Sequence, residues 1–158
     1  MVDQQEYEQV SMDLLPTLYK IGYSMLRSTP DTQDAIQQAL MKAWEKRHTV
    51  RTGKYRAFLT RVVINECYNI QRHRMRVFPA EVSPYMPADT SPDYRELYEA
   101  IGMLPEKLRL PLILKYLENN SEKEAANALG IPVTTFKNRL HSARKTLRRL
   151  LDREVVFE

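Results

Sequence analysis

Residues Ser121–Leu150 read SEKEAANALGIPVTTFKNRLHSARKTLRRL, and this stretch decides the fold. Ser121 and Glu124 stand at S-x-x-E spacing, a capping box that starts a helix by satisfying orphan backbone donors. Ala126 precedes Gly130 by four residues and Phe136 follows it by six. A small residue, a turn glycine and an apolar anchor at those spacings let two short helices cross closely. Pro132 closes the turn, because the residue before a proline resists helical ψ. A longer second helix follows, with Phe136, Leu140, Ala143 and Leu147 on one face. Its other faces carry Thr134, Thr135, Lys137, Asn138, Arg139, His141, Arg144, Lys145, Arg148 and Arg149. The pattern is a helix-turn-helix whose second helix is shaped and charged for a DNA major groove. A basic amphipathic helix taken alone is often only a solvated face. Here cap, spacing and one-sided charge agree on nucleic acid.

The chain has 158 residues, room for one domain or two small ones, and its 43% hydrophobic content can support a core. Lys and Arg exceed Asp and Glu by 24 to 20, and their distribution says more than the total. Asp3, Glu6, Glu8 and Asp13 make the N-terminus acidic, whereas Arg51 to Arg76 and Lys137 to Arg153 are strongly basic. Two separated basic segments suggest two contacts with one polyanion. Cys67 is the only cysteine, which leaves no disulfide framework or cysteine-rich zinc site within one chain. The three His residues, at 48, 73 and 141, are scattered, so a metal-dependent nuclease lacks ligands at usable spacing. No catalytic residue, cofactor or metal is expected. No apolar run approaches the roughly 20 residues of a membrane span and no signal-peptide pattern opens the chain, so a cytoplasmic protein is expected.

Ahead of the helix-turn-helix, Met12 to Leu26 places Leu14, Leu18, Ile21 and Met25 at helical spacing. Ser28-Thr29-Pro30-Asp31 then restarts a helix, with Thr29 as the cap and Pro30 in the first turn. That helix, running to Trp44 or Lys46, turns Ile36, Ala39, Leu40, Ala43 and Trp44 inward. Asp34, Gln37, Gln38 and Met41 form an outward strip at i, i+3, i+4 and i+7. Hydrogen-bonding groups around an exposed methionine suit a protein partner, because Met packs adaptably.

His48 to Lys54 is a loop, and Tyr55 to Arg76 is a long helix burying Phe58, Leu59, Val62, Val63, Cys67 and Ile70. Arg56, Arg61, Arg72, His73, Arg74 and Arg76 charge it, with Tyr55 and Tyr68 interleaved. Arginine with aromatics beside a basic loop suits a nucleic acid whose bases leave the stack. Two positions stay open. Tyr55 is either a core residue or a stacking partner, and Asn65 either a satisfied structural amide or a base contact.

Pro79, Pro84 and Pro87 interrupt the next stretch, which reads as an interdomain linker. Helices resume at Ser91-Pro92-Asp93 and at Leu104-Pro105-Glu106. Pro111 either kinks the latter helix or marks its true start. The fold class is therefore all-α: two small helical domains joined by a Pro-rich linker, the second a helix-turn-helix domain. The expected bounds are 1–76, 77–91 for the linker, and 92–158.

With both segments in view, the chain resembles a sigma-70 family RNA polymerase sigma factor of the extracytoplasmic-function group. The family's region 2 pattern D-A-E-D-x-x-Q-E-x-F-x-K-A-W is similar to Asp31–Trp44, and W-L-x-x-I-A-x-N-x-x-x-D-x-x-R to Phe58–Arg72. The region 4 pattern, L-P-E-x-x-R then S-x-x-E-I-A-x-x-L-G-I-P-x-x-T-V-K-x-R-L-x-x-A-R-x-x-L, resembles Leu104–Arg109 and Ser121–Leu147. Departures are mild: Asn69 for Asp, Ala125 for Ile and Phe136 for Val.

The resemblance implies partners: core RNA polymerase, promoter DNA and an anti-sigma factor, with no membrane contact. Asp34, Gln37, Gln38 and Met41 would bind the clamp helices of the polymerase β′ subunit. Arg51, Lys54, Tyr55, Asn65, Arg72, Arg74 and Arg76 would meet the −10 element and help melt it. Thr134, Thr135, Lys137, Asn138, Arg139, His141, Arg144, Lys145 and Arg148 would meet the −35 duplex. The competing class is a dimeric helix-turn-helix regulator acting on duplex DNA alone. It has no use for the basic first-domain helix or the Asp34 strip.

Overall fold

Asp3 opens the first helix: its carboxylate accepts the Glu6 N–H at 2.8 Å, and α1 runs Gln4–Leu26. The computed structural model describes residues 1–77, 95–116 and 121–156, with side chains for all of these except 76–77 and 153–156. The helix thus begins well before the expected Met12, because a good cap starts it where the apolar period is still faint. Pro16 lies inside it. The carbonyl left without a donor is that of Met12, and both residues are exposed, so water can meet it.

Ser28, one residue before the expected Thr29, caps α2 (Thr29–Lys46) by accepting the Asp31 N–H at 3.3 Å. Arg47–Thr49 makes a 3₁₀ turn, and α3 (Tyr55–Val77) follows. α1, α2 and α3 pack on one another. Leu14, Leu18, Ile21, Ile36, Ala39, Ala43, Leu59, Val63, Ile64 and Cys67 are buried between them. Each large aliphatic side chain there contributes at most about 1.5–3 kcal/mol of burial free energy.

The second unit comprises α4 (Arg95–Met103), α5 (Glu106–Tyr116), α6 (Glu122–Leu129) and α7 (Val133–Val156). Leu104 is buried, and Arg109, almost wholly buried, donates to its carbonyl at 2.9 Å. Arg109 also stands 3.7 Å from the Glu106 carboxylate. That bracket explains the L-P-E-x-x-R spacing: the arginine folds back to hold the α4–α5 corner. α5 runs through Pro111 with no change of element, so it starts at Glu106 and not at the proline. The carbonyl that loses a partner belongs to exposed Lys107.

Ser121 Oγ accepts the Glu124 N–H at 3.1 Å, the forward bond of the expected capping box. Gly130 ends α6 in the left-handed region at φ 69°, with its N–H on Asn127 and that of Ile131 on Ala126. This pair of bonds is a Schellman close, and a Cβ would strain it. Phe136, Leu140 and Ala143 then seat α7 on α5 and α6.

The two units touch. α6 lies against α3 and α5 against α1. Arg27 donates to the Gly102 carbonyl at 2.6 Å, and Gln71 Nε2, which also bonds the Met25 carbonyl within the first unit at 3.0 Å, donates across to Glu106 Oε1 at 2.5 Å. Every element among the described residues is a helix, as the all-α reading expects. The expected linker beyond Val77 and the Ser91-Pro92-Asp93 restart lie outside the described residues.

Candidate polymerase and nucleic-acid interfaces

α2 presents Asp34, Gln37, Gln38 and Met41 to solvent, the last 57% exposed. Ala35, Ile36, Ala39 and Ala43, on its opposite side, are buried in the first core. The strip is thus a rigid surface, since the residues behind it cannot move without opening that core. Beside it, the Lys42 ammonium pairs with the largely buried Glu66 carboxylate and ties α2 to α3.

Arg51, Thr52, Gly53 and Lys54 are all exposed. The Lys54 N–H donates to the Arg51 carbonyl at 3.0 Å, closing a four-residue turn with Gly53 at φ 86° in its third position. A turn with positive φ at that position favours glycine. Tyr55 does not join this surface. Fully buried, it approaches Ser11 Oγ at 3.2 Å and packs its ring near Tyr7 and Phe58. Burial pushes its phenol up to about 12. Its expected stacking role on DNA is therefore corrected: Tyr55 is core.

Asn65 and Arg72 are exposed along α3, and Arg72 donates to Asn69 Oδ1. Asn69 thus still engages an arginine, although it replaces the family's Asp. Arg74 also needs correction. Its guanidinium grips the Asp31 carboxylate, with Nε at 2.9 Å, and donates to the Leu26 carbonyl at 2.7 Å. It fastens α3 to the α1–α2 junction and has little left for phosphate. The Arg76 side chain lies outside the described residues. The remaining candidates are not one patch, since Lys54 and Arg72 lie about 25 Å apart along the axis of α3.

The recognition candidates on α7 divide by position on the helix. Thr134, Asn138, His141 and Lys145 lie opposite the buried Phe136–Leu140–Ala143 stripe, and all four are exposed. Lys137, Arg144 and Arg148 form one edge, where Lys137 Nζ stands 3.8 Å from Glu122. Arg144 donates Nε–H to the Tyr116 hydroxyl at 2.7 Å and lies over that ring, which ties it to α5 while the residue stays exposed. Thr135 and Arg139, both half-buried, form the other edge. The Tyr68 phenol on α3 is raised by burial and by Glu106, and Arg139 draws it partly back down. That edge of α7 therefore feels the first unit.

Residues 11–77 match sigma-70 region 2, and residues 94–147 match sigma-70 region 4. The chain belongs to the sigma-70 family. The sigma-E factor of Streptomyces coelicolor is 28% identical over 149 residues, covering 90% of this chain and 84% of that one. The extracytoplasmic-function sigma factor SigW of Bacillus subtilis is 27% identical over 156 residues, covering 85% and 82%. Among solved structures, the sigma factor RpoE in complex with the anti-sigma factor NepR, from Bartonella quintana, superposes with a TM-score of 0.79 at 29% identity. It covers 94% of this chain and 98% of that one. The protein is a sigma factor of the extracytoplasmic-function group, a transcription initiation factor that directs core RNA polymerase to promoters. A duplex-only regulator is not favoured, because the region 2 half would then have no task.

Reading the sigma factor as a sequence misses the groups that act at long range. Arg27, Gln71, Lys42 and Glu66 carry no local signal, because their partners lie 24 to 75 residues away. A cavity of about 490 Å³ between α4, α5 and α7, lined by Leu97, Ile101, Leu112, Tyr116 and Leu147, was also not legible. Cys67 is buried, and burial, then the Glu106 and Glu66 carboxylates, push its thiol up to about 12. Among the described residues, no cluster of His, Cys, Asp and Glu could hold a metal, and no helix is long and apolar enough to cross a membrane.

Proposed function

We propose that residues 1–76 bind the β′ clamp helices of core polymerase through Asp34, Gln37, Gln38 and Met41 and open the −10 element. Opening uses the Arg51–Lys54 turn with Asn65 and Arg72. Residues 92–158 read the −35 duplex through Asn138 and His141, with Lys137, Lys145 and Arg148 on the phosphates. The protein works in the cytoplasm by binding alone, without catalysis. One observation carries this division of labour: three separate exposed surfaces each differ in chemistry. They are a polar strip with one methionine, a cationic turn and a basic helix face.

An anti-sigma factor is a third partner in this reading. Its support is the likeness to RpoE, solved in complex with NepR. The deciding experiment targets the strip. Asp34→Arg leaves the core of α2 untouched, since Asp34 is exposed. It should weaken core-polymerase binding by about 2–4 kcal/mol if the contact is desolvated. A folded variant that binds core as the parent does would remove the strip from the interface.

A further inference from the structure

In a capping box the third residue usually reaches back to the cap's own N–H. Glu6 follows Asp3 at that spacing, but its Oε2 accepts the N–H of Gly53, 47 positions further on, at 2.9 Å. Two more ties flank this one. Thr52 Oγ1 donates to the Met1 carbonyl at 2.9 Å, and the Val2 N–H donates to the Arg47 carbonyl at 3.3 Å. Val2 itself is fully buried. The N-terminal residues thus clasp the segment from Arg47 to Gly53 at both ends.

The turn has little else to hold it. Its own bond is the single Lys54-to-Arg51 link, its four residues are exposed, and a glycine sits at its bend. Glycine populates many conformations equally, so such a turn rearranges freely unless something outside braces it. Arg51 and Lys54 belong to none of the ion pairs among the described residues. Their position is therefore set by the backbone beneath them.

We infer that Met1–Glu6 is a positioning element for promoter opening: Glu6 and Thr52 fix the turn so that Arg51 and Lys54 meet the melted strand in one geometry. This rests on the reading of that turn as the −10-binding surface. Ordering the turn during folding spares that entropy when DNA binds. The charge on Glu6 gives the inference a distinctive sign. A carboxylate beside a DNA-binding turn repels phosphate, so deleting it for charge alone would improve opening. Deleting the brace should worsen it.

The experiment uses holoenzyme assembled from the full chain and core polymerase. The promoter carries 2-aminopurine in the −10 element, alongside a set with single −10 substitutions. E6A and T52V should each slow opening by about three- to tenfold, which is about 0.65–1.4 kcal/mol of activation free energy. Both should also narrow the gap between parent and substituted promoters, with core affinity and −35 duplex binding unchanged. E6Q keeps an acceptor oxygen without the charge and should open at least as well as the parent. Parent-like opening and discrimination in E6A and T52V would overturn the brace, as would faster opening in both E6A and E6Q. The arm R51A/K54A separates the two levels. Lost opening there with parent-like E6A sinks the brace alone, whereas unchanged opening there sinks the turn's assignment and the brace together.

Discussion

Replacing Arg74 with Ala separates a structural from a DNA-binding role. The guanidinium makes charge-assisted bonds to the Asp31 carboxylate and the Leu26 carbonyl. Hydrogen bonds to charged groups are worth about 1.5–3 kcal/mol each when buried. Here the Arg74 side chain is 31% and the Asp31 side chain 36% exposed, so solvent screens the pair. The carbonyl, at the end of α1, can also be rehydrated after truncation. About 2 kcal/mol in total is a reasonable expectation after that discount. For a chain of this size it lowers Tm by roughly 4–8 °C. Thermal unfolding of the parent, R74A, D31A and the double variant should show a coupling of about 1 kcal/mol between the two positions. The salt slope of promoter binding should not change, because no phosphate contact is lost. A parent-like Tm together with a slope reduced by about one unit would refute the structural assignment and return Arg74 to the DNA.

Replacing Asn138 by Ala should alter base preference at particular −35 positions, whereas R148A should weaken all sequences alike and reduce the salt slope; equal, uniform losses in a binding-site selection would reverse that division. Alkaline stability tests the first core. Tyr55 and Cys67 are raised by burial from 10.0 and 9.0 to about 12 each, so the folded chain holds them neutral. The stability this supplies is complete below the unfolded-state values and is lost as pH rises through the folded ones. Denaturation midpoints should therefore fall between about pH 9 and 12, and Y55F should flatten the upper part of that fall. Parallel curves for parent and Y55F would show that Tyr55 contributes nothing to it.

Much of this architecture was legible residue by residue. The capping box at Ser121, the left-handed Gly130 and the apolar period of α7 are local signals. Each acts within a turn or two of chain, where neighbours in sequence are neighbours in space. The same holds for the strip from Asp34 to Met41, because helical periodicity alone sets which side of α2 faces out. Boundaries were less legible. Asp3 caps its helix nine residues ahead of the apolar pattern's start at Met12, and Ser28 takes the cap expected of Thr29, since a cap needs only one side-chain oxygen.

The choice between roles for polar and aromatic residues belonged to the tertiary structure. Tyr55 and Arg74 carry chemistry equally suited to DNA or to the core, and nothing within a few residues distinguishes them. Ser11 and Tyr7 claim the first, and Asp31 and Leu26 the second, each across more than 40 residues of chain. Glu6 is the converse case. Its sequence context offers only a helix cap, and the fold delivers its carboxylate to Gly53. The period of a helix is written in the order of residues, but a hydrogen-bonding group's partner depends on which distant backbone the packed core brings within 3 Å.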